Sequence, residues 1–286
     1  MNAKRLTAYR VVTTLVLLVS ALAGRSVPPK REGDVGGVLP PLRAAQASSP
    51  DLQAAIAAGY DHTCALKGGQ VYCWGRNHYG AVGDNATTHR VTPVLVADGA
   101  MGNSGVTAVA ASAYHTCALK GGKVYCWGLN DYGQLGASSS QTCSHYGDYP
   151  CSRTPLTVAD GAMGNSGVTA ITASSAYHTC ALKGGKVYCW GRNSYGQLGD
   201  GTTTNRTTPT LVANGAMGNS GVTAVAAGWE HTLGLKDTTC LFAWGWNGRG
   251  QLGDGTTTHR TTPVQVSGGC GWGTTPRVFI PIVYRP

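Results

Sequence analysis

Glutamate is almost missing from this chain: it occurs twice, at Glu32 and Glu230. Only 12% of the 286 residues are charged. An amphipathic helix needs a charged or polar face beside its apolar one, so this composition argues against a core of packed helices. No five like charges stand together, and a basic stripe for nucleic acid is unsupported. The net charge of +9 does not alter this, because residues 1–50 hold seven basic against two acidic residues and the remainder 15 against 11. No G-x-S-x-G, H-E-x-x-H or Walker signature occurs. The usual sequence marks of α/β-hydrolases, zincins and P-loop nucleotide enzymes are therefore lacking, and the expectation is a protein that is not an enzyme and carries no cofactor. The apolar run Val11–Val19 is short against the roughly 20 residues of a membrane span.

What is present is glycine, 42 residues, about twice the usual share. Seven Trp and 13 Tyr spread through the chain argue against disorder. Glycine-rich, β-branched and aromatic sequence with regular turns reads as all-β.

The chain is organised around Tyr177–Gly199, YHTCALKGGKVYCWGRNSYGQLG. Close copies occupy Tyr60–Gly83 and Tyr114–Gly136, and a decayed copy runs from Trp229 to Gly253. Within the unit, Gly184 and Gly185 separate two apolar runs, the mark of a type I′ hairpin turn. Counting outward from the turn, Cys180 faces Cys189 at a non-hydrogen-bonded site, where Cα atoms lie about 4.5 Å apart. A disulfide tolerates that spacing. The same register pairs Cys64 with Cys73 and Cys117 with Cys126. Buried thiols are the alternative, and zinc is disfavoured because eight residues separate each pair where zinc ligand pairs are usually closer. Cys180, Leu182, Val187 and Cys189 share one side of the hairpin; Ala181, Tyr188 and Trp190 share the other. Neither side is polar, so the sheet must be covered on both faces.

His62, His115, His178 and His231 recur at spacings of 53, 63 and 53. A period near 50 marks repeated supersecondary units. The third unit offers four strand candidates, Val168–Ala173, His178–Leu182, Val187–Trp190 and Thr210–Ala213, the number in a propeller blade. Between units the string GAMGNSGVTA occurs unchanged at Gly99–Ala108, Gly161–Ala170 and Gly215–Ala224; without a following GK[ST] it reads as a surface turn rather than a phosphate loop. The longer second spacing comes from an insertion, Ala137–Arg153, in which Cys143 and Cys151 staple a loop bearing His145, Tyr146, Asp148 and Tyr149. Cys240 and Cys270 remain, and pair by arithmetic alone.

The four histidines precede threonines at strand starts and are expected to make structural hydrogen bonds, not to share a metal ion. Asp84, Asp200 and Asp254 lie in G-D turns where calcium is the alternative to a structural role. Asn85 and Asn205 begin glycosylation sequons. Met1–Ala23 has the basic start, apolar core and small-residue end of a secretory signal, with a retained anchor as the alternative. Residues 24–51 read as a disordered leader, 52–268 as the repeats, and 269–286 as a final strand or a tail.

The string H-T-x-A-L…G-x-V-Y-x-W-G-x-N-x-Y-G-Q-L-G-D-G-T…P resembles the regulator of chromosome condensation repeat. It is carried by His178, Thr179, Ala181, Leu182, Val187, Tyr188, Trp190, Gly191, Asn193, Tyr195, Gly196, Gln197, Leu198, Gly199, Asp200, Gly201, Thr202 and Pro209. The likeness runs from about Gln53 to Val266. It implies a β-propeller, usually of seven blades. Here about four repeats imply four blades in an open arc or small ring. The namesake of the family is a nuclear exchange factor for a small GTPase that binds chromatin, and a secreted bacterial β-lactamase inhibitor shares the fold. The export signal and paired cysteines favour the second setting. The expected function is a non-catalytic, secreted or cell-surface scaffold that binds a protein or surface ligand through loops, with enzyme inhibition and nucleotide exchange as alternatives. No nucleic acid and no membrane span after signal cleavage are expected, and open blade faces would favour self-association.

Overall fold

The computed structural model describes residues 56–272. The expected secretory signal and leader, and the expected tail beyond residue 272, lie outside the described residues. Within them the chain is all-β, in four antiparallel sheets. The first holds β1 (Ile56–Ala58), β2 (His62–Lys67), β3 (Gln70–Gly75) and β4 (Arg90–Leu95). The second holds β5 (Val106–Ala111), β6 (His115–Lys120), β7 (Lys123–Leu129), β8 (Gln141–Ser144) and β9 (Asp148–Thr157). The third holds β10 (Val168–Ala173), β11 (His178–Lys183), β12 (Lys186–Gly191) and β13 (Arg206–Leu211). The fourth holds β14 (Val222–Ala227), β15 (His231–Lys236), β16 (Cys240–Gly245) and β17 (Arg260–Cys270). Each sheet is a meander of consecutive strands, except that the second runs in the order β5-β6-β7-β9-β8. The first strands of consecutive sheets touch one another, the arrangement of propeller blades about an axis.

The glycine pair sets the hairpin register as the sequence requires. Gly184 and Gly185 take φ of 55° and 71°, and Cys180 lies opposite Cys189. The Cα atoms of that pair are 4.1 Å apart, as they are for Cys64–Cys73 and Cys117–Cys126, and all three pairs are disulfides. Cys143–Cys151 and Cys240–Cys270 are joined as well.

In the second and third blades both faces of the hairpin are used, each for a different neighbour. The disulfide face of the first blade (Cys64, Val71, Cys73) packs against Ala118, Tyr125 and Trp127 of the second. Cys117, Leu119, Val124 and Cys126 pack against Ala181, Tyr188 and Trp190 of the third. Cys180, Leu182, Val187 and Cys189 pack against Phe242 and Trp244 of the fourth. Three such cores hold the described residues together, and each is shared between two blades. Among the described residues the succession does not close: the first and fourth blades have no core in common.

A polar ladder follows the same joints. His62 Nε2 and Thr116 Oγ1 are 2.8 Å apart, His115 Nε2 and Thr179 Oγ1 2.8 Å, and His178 Nε2 and Thr232 Oγ1 3.0 Å. Each threonine hydroxyl donates onward to a carbonyl of the preceding blade, Ala81, Gln134 or Gln197. The hydroxyl thus accepts from the ring nitrogen, and burial of both groups without this pairing would cost about 1–3 kcal/mol per group.

Three sequence expectations need correction. The GAMGNSGVTA segment is more than a surface turn. Met101, Met163 and Met217 are buried in the inter-blade cores. Asn165 Oδ1 accepts from Val124 N at 2.7 Å while its Nδ2 donates to Val124 O and Val158 O. The asparagine therefore supplies an amide partner that strand pairing does not, and Asn103 and Asn219 repeat the device. Second, the last strand of the third blade is Arg206–Leu211 and not Thr210–Ala213. Arg206 is drawn in by Asp200, at 2.7 Å, and a register shift between Cys189 and Gly191 accommodates it. Third, the stapled insertion is an ordered hairpin, β8 with β9, that widens its sheet to five strands.

A tyrosine and arginine face beside the stapled hairpin

One end of every blade is built from the turn before the second strand and the loop after the third. Asp61, Tyr114, Tyr177 and Glu230 stand at equivalent places just before the ladder histidines. Their carbonyls accept from the amides of Arg76, Leu129, Arg192 and Trp246, which fixes the two loops against each other. Three residues further on come Tyr79, Tyr132, Tyr195 and Arg249. The loop carrying these is locked from within. Asn193 Nδ2 donates to Asp200 Oδ1, Thr202 O and Thr204 O, and its Oδ1 accepts from Leu198 N. Asn77 and Asn247 act alike.

On this scaffold the rings form a row across three blades. Tyr149 meets Tyr79 edge to face at 5.8 Å, Tyr79 meets Tyr114 at 5.3 Å, Tyr114 stacks on Tyr177 at 5.8 Å and Tyr177 leans on Tyr132 at 5.2 Å. Such aromatic pairs are worth about 0.5–1.5 kcal/mol beyond area burial. Two guanidinium groups sit over the rings: Arg76 over Tyr114 at 5.7 Å and Arg192 over Tyr132 at 5.5 Å. Each arginine is also held by an acid, Arg76 by Asp61 at 3.3 Å and Arg192 by Glu230 at 3.1 Å. A second group, Tyr195, Trp246 and His259, continues onto the fourth blade.

Tyr177 carries backbone strain, with φ of 69°, a conformation in which a bulky residue is a true outlier. Strain of this kind collects at binding and switch regions. Burial, with Tyr114 and Tyr132 beside it, pushes its hydroxyl up to about 12.

The inserted hairpin docks on the row. His145 stacks on His78 with ring centroids 3.6 Å apart and lies 3.4 Å from the Arg76 guanidinium. Tyr146 packs on His145 and is 96% exposed, with φ of 54°. Asp148 departs from this cluster and accepts from the Ser144 hydroxyl at 2.5 Å. Of the four hairpin residues named from sequence, His145, Tyr146 and Tyr149 are thus brought together. Arg76, Tyr79, Tyr114, Tyr132, Tyr177 and Arg192 were not named, although the recurrence of tyrosine in the N-x-Y-G segment was a legible signal.

The residues behind the other candidate chemistries are engaged in hydrogen bonds. His62, His115 and His178 are buried and His231 partly so, and among the described residues no three His, Cys, Asp or Glu side chains gather as a metal set. Burial lowers His62 to about 4 and His115 and His178 to about 3. The Asp200 carboxylate accepts from Asn193, Thr202 and Arg206, and Asp254 and Asp84 have matching partners. Their oxygens serve the loop lock. Asn85 and Asn205 are exposed, and Asn205 Oδ1 accepts from Asn193 N. Among the described residues no helix is long and apolar enough to cross a membrane.

A family model described as an RCC1-like domain matches residues 31–274. The chain is 32% identical over 229 residues to the ultraviolet-B receptor UVR8 of Arabidopsis thaliana, covering 76% of this chain and 49% of that protein. Human WBSCR16 superposes with a TM-score of 0.64 at 24% identity, over 74% of this chain and 52% of that one. Yeast RCC1 (Prp20), crystallised bound to Kap60, gives a TM-score of 0.60 at 22% identity, over 76% of this chain and 52% of that one. The chain spans about half the length of these relatives. With the repeat, the blade and the inter-blade packing all in agreement, this chain belongs to the RCC1-like domain family.

Proposed function

We propose that this protein is a non-catalytic binding scaffold that holds a protein partner on the tyrosine and arginine face, with the stapled hairpin as the specific contact. One observation carries this reading. The chain concentrates rigid aromatic and guanidinium groups on one end of the blades, with Tyr146 packed on His145 at their edge and 96% exposed. Tyrosine and arginine are enriched among the side chains that carry binding energy at protein interfaces, and tyrosine brings large contact area at small entropic cost. The relative yeast RCC1 is itself seen with a protein partner. We place the scaffold outside the cytoplasm, since five disulfides and the amino-terminal signal suit an oxidising compartment. Enzyme inhibition would be a special case of the same binding, recognised by loss of a target's activity on stoichiometric mixing.

The test is capture from the producing organism's envelope and medium by the intact chain, by a chain lacking residues 137–153, and by Tyr146→Ala. The expected result is a captured protein whose affinity falls about tenfold or more with Tyr146→Ala and is lost on deletion. Capture that survives both changes would overturn the assignment to this face.

A further inference from the structure

The inter-blade joint is made three times inside the chain, and each time one surface meets a different one. One side offers the disulfide-type face, a ladder histidine, and a G-x-x-G loop. The other offers Ala, Tyr and Trp with a ladder threonine. In the first two joints the tryptophan N–H donates to the loop, Trp127 Nε1 to Ala81 O at 2.9 Å and Trp190 Nε1 to Gln134 O at 3.0 Å; in the third, Trp244 Nε1 is buried without such a partner. The last glycine of the loop leaves room for the indole: a Cβ on Gly83 would come within 2.5 Å of Trp127, and one on Gly136 within 2.7 Å of Trp190.

The two ends of the described arc carry the two halves of this joint without a mate. On the first blade, Thr63, Ala65, Tyr72 and Trp74 repeat the Thr-Ala-Tyr-Trp set, yet are half-exposed where their counterparts in the second and third blades are buried. They border a hollow of about 340 Å³ lined by Ala65, Lys67, Tyr72, Trp74 and Pro93. On the fourth blade the outward face holds Leu233, Leu235 and Leu241, again half-exposed, while Thr232, Phe242 and Trp244 on the inward face are buried. Among the described residues His231 is the ladder histidine with no next threonine, and Thr63 the threonine with no previous histidine. Gln251 and Gly253 stand where Gln134 and Gly136 stand two blades earlier, and a Cβ on Gly253 would meet only Val266, at 3.0 Å, with no indole beside it. Terminal repeats that face water carry polar outer surfaces. Neither end does so here; even where the fourth blade loses its hairpin disulfide, the pair is replaced by Leu233 and Ala243, which are also apolar.

We propose that these two faces are the halves of one interface, and that a second copy of this chain docks head to tail, its first blade on the fourth blade of its neighbour. The joint is heterologous, so it generates a ring if the rotation closes and a longer series if it does not. The chemistry is already realised within the chain, down to the histidine–threonine pair and the tryptophan N–H to a loop carbonyl. The proposal does not draw on the tyrosine and arginine face.

The experiment is sedimentation velocity of the intact, oxidised protein from low micromolar to submillimolar concentration. Wild-type protein is expected to associate. Trp74→Lys and Leu235→Lys should each weaken association by about thirtyfold or more, as loss of a central interface anchor does. Neither should alter the circular dichroism spectrum or the non-reducing disulfide map, and Tyr72→Lys with Leu241→Lys serves as a second pair should either variant misfold. An equimolar mixture of one variant from each end should recover a 1:1 complex, because each supplies the intact face the other lacks. A wild-type chain that stays monomeric throughout, as it would if segments outside the described residues covered both ends, overturns the proposal. So does association that the end variants do not weaken, or a mixture that fails to recover.

Discussion

Acidification to about pH 5 is expected to remove roughly 3–6 kcal/mol of the stability present at neutral pH. The cause is the ladder. His62, His115 and His178 are fully buried, and desolvation lowers them to about 4, 3 and 3. In the unfolded chain the same side chains take up protons as the pH falls through their ordinary value near 6.5. Between about 6.5 and 4 the unfolded state therefore binds more protons than the folded one, and stability falls with pH. Above 6.5 both states are neutral there and the full stability remains. Each histidine contributes on the order of 1.4 kcal/mol per pH unit in that window. Asp200 and Asp254 are held below their ordinary range, so their own contribution is lost only at lower pH. The measurement is the guanidinium midpoint as a function of pH with the disulfides intact. A flat profile between neutrality and about pH 5 would mean that the histidines are not buried as neutral rings.

The second large effect depends on position rather than on residue type. Trp190→Ala should destabilise the chain by about 3–5 kcal/mol, the cost of emptying a buried tryptophan site. Trp190 is fully buried between the second and third blades, and its N–H is bonded to Gln134 O. Trp74 occupies the equivalent place on the first blade, but among the described residues no further blade covers its outer side. Trp74→Ala in dilute protein should cost about 1 kcal/mol or less, since most of the transfer and cavity terms are absent at a half-exposed site. Thermal unfolding separates the two by about 5 °C or more for a chain of this size. Equal losses at both positions would show that the first blade is covered within the chain.

These effects explain what the sequence could and could not disclose. The hairpins were legible because two glycines fix a turn, a turn fixes register, and register brings Cys180 onto Cys189. The need for cover on both faces followed from the same register. The asparagine of GAMGNSGVTA was not legible, because its partner amides lie 32 or 41 residues away in sequence. Nothing local distinguishes a polar side chain that caps a distant strand from one that points to water. The inserted hairpin could be located from spacing and cysteines. Its docking onto His78 and Arg76 could not, since that contact joins the second blade's insertion to the first blade's loop. The tyrosine row is likewise a product of blade succession: each ring is unremarkable in its own repeat, and only the packing of blades lines them up.

The central claim is that each blade is stabilised by its neighbours more than by itself. Amide hydrogen exchange of the native, oxidised protein, at a concentration too low for association, tests it most directly. The inner blades, covered on both faces, should hold the slowest amides, in β6, β7, β11 and β12. The end blades, each with one open face, should exchange about tenfold faster or more in β2, β3, β15 and β16, as local opening there exposes less buried surface. Amides in β2–β3 and β15–β16 as slow as those in β11–β12 would contradict the claim.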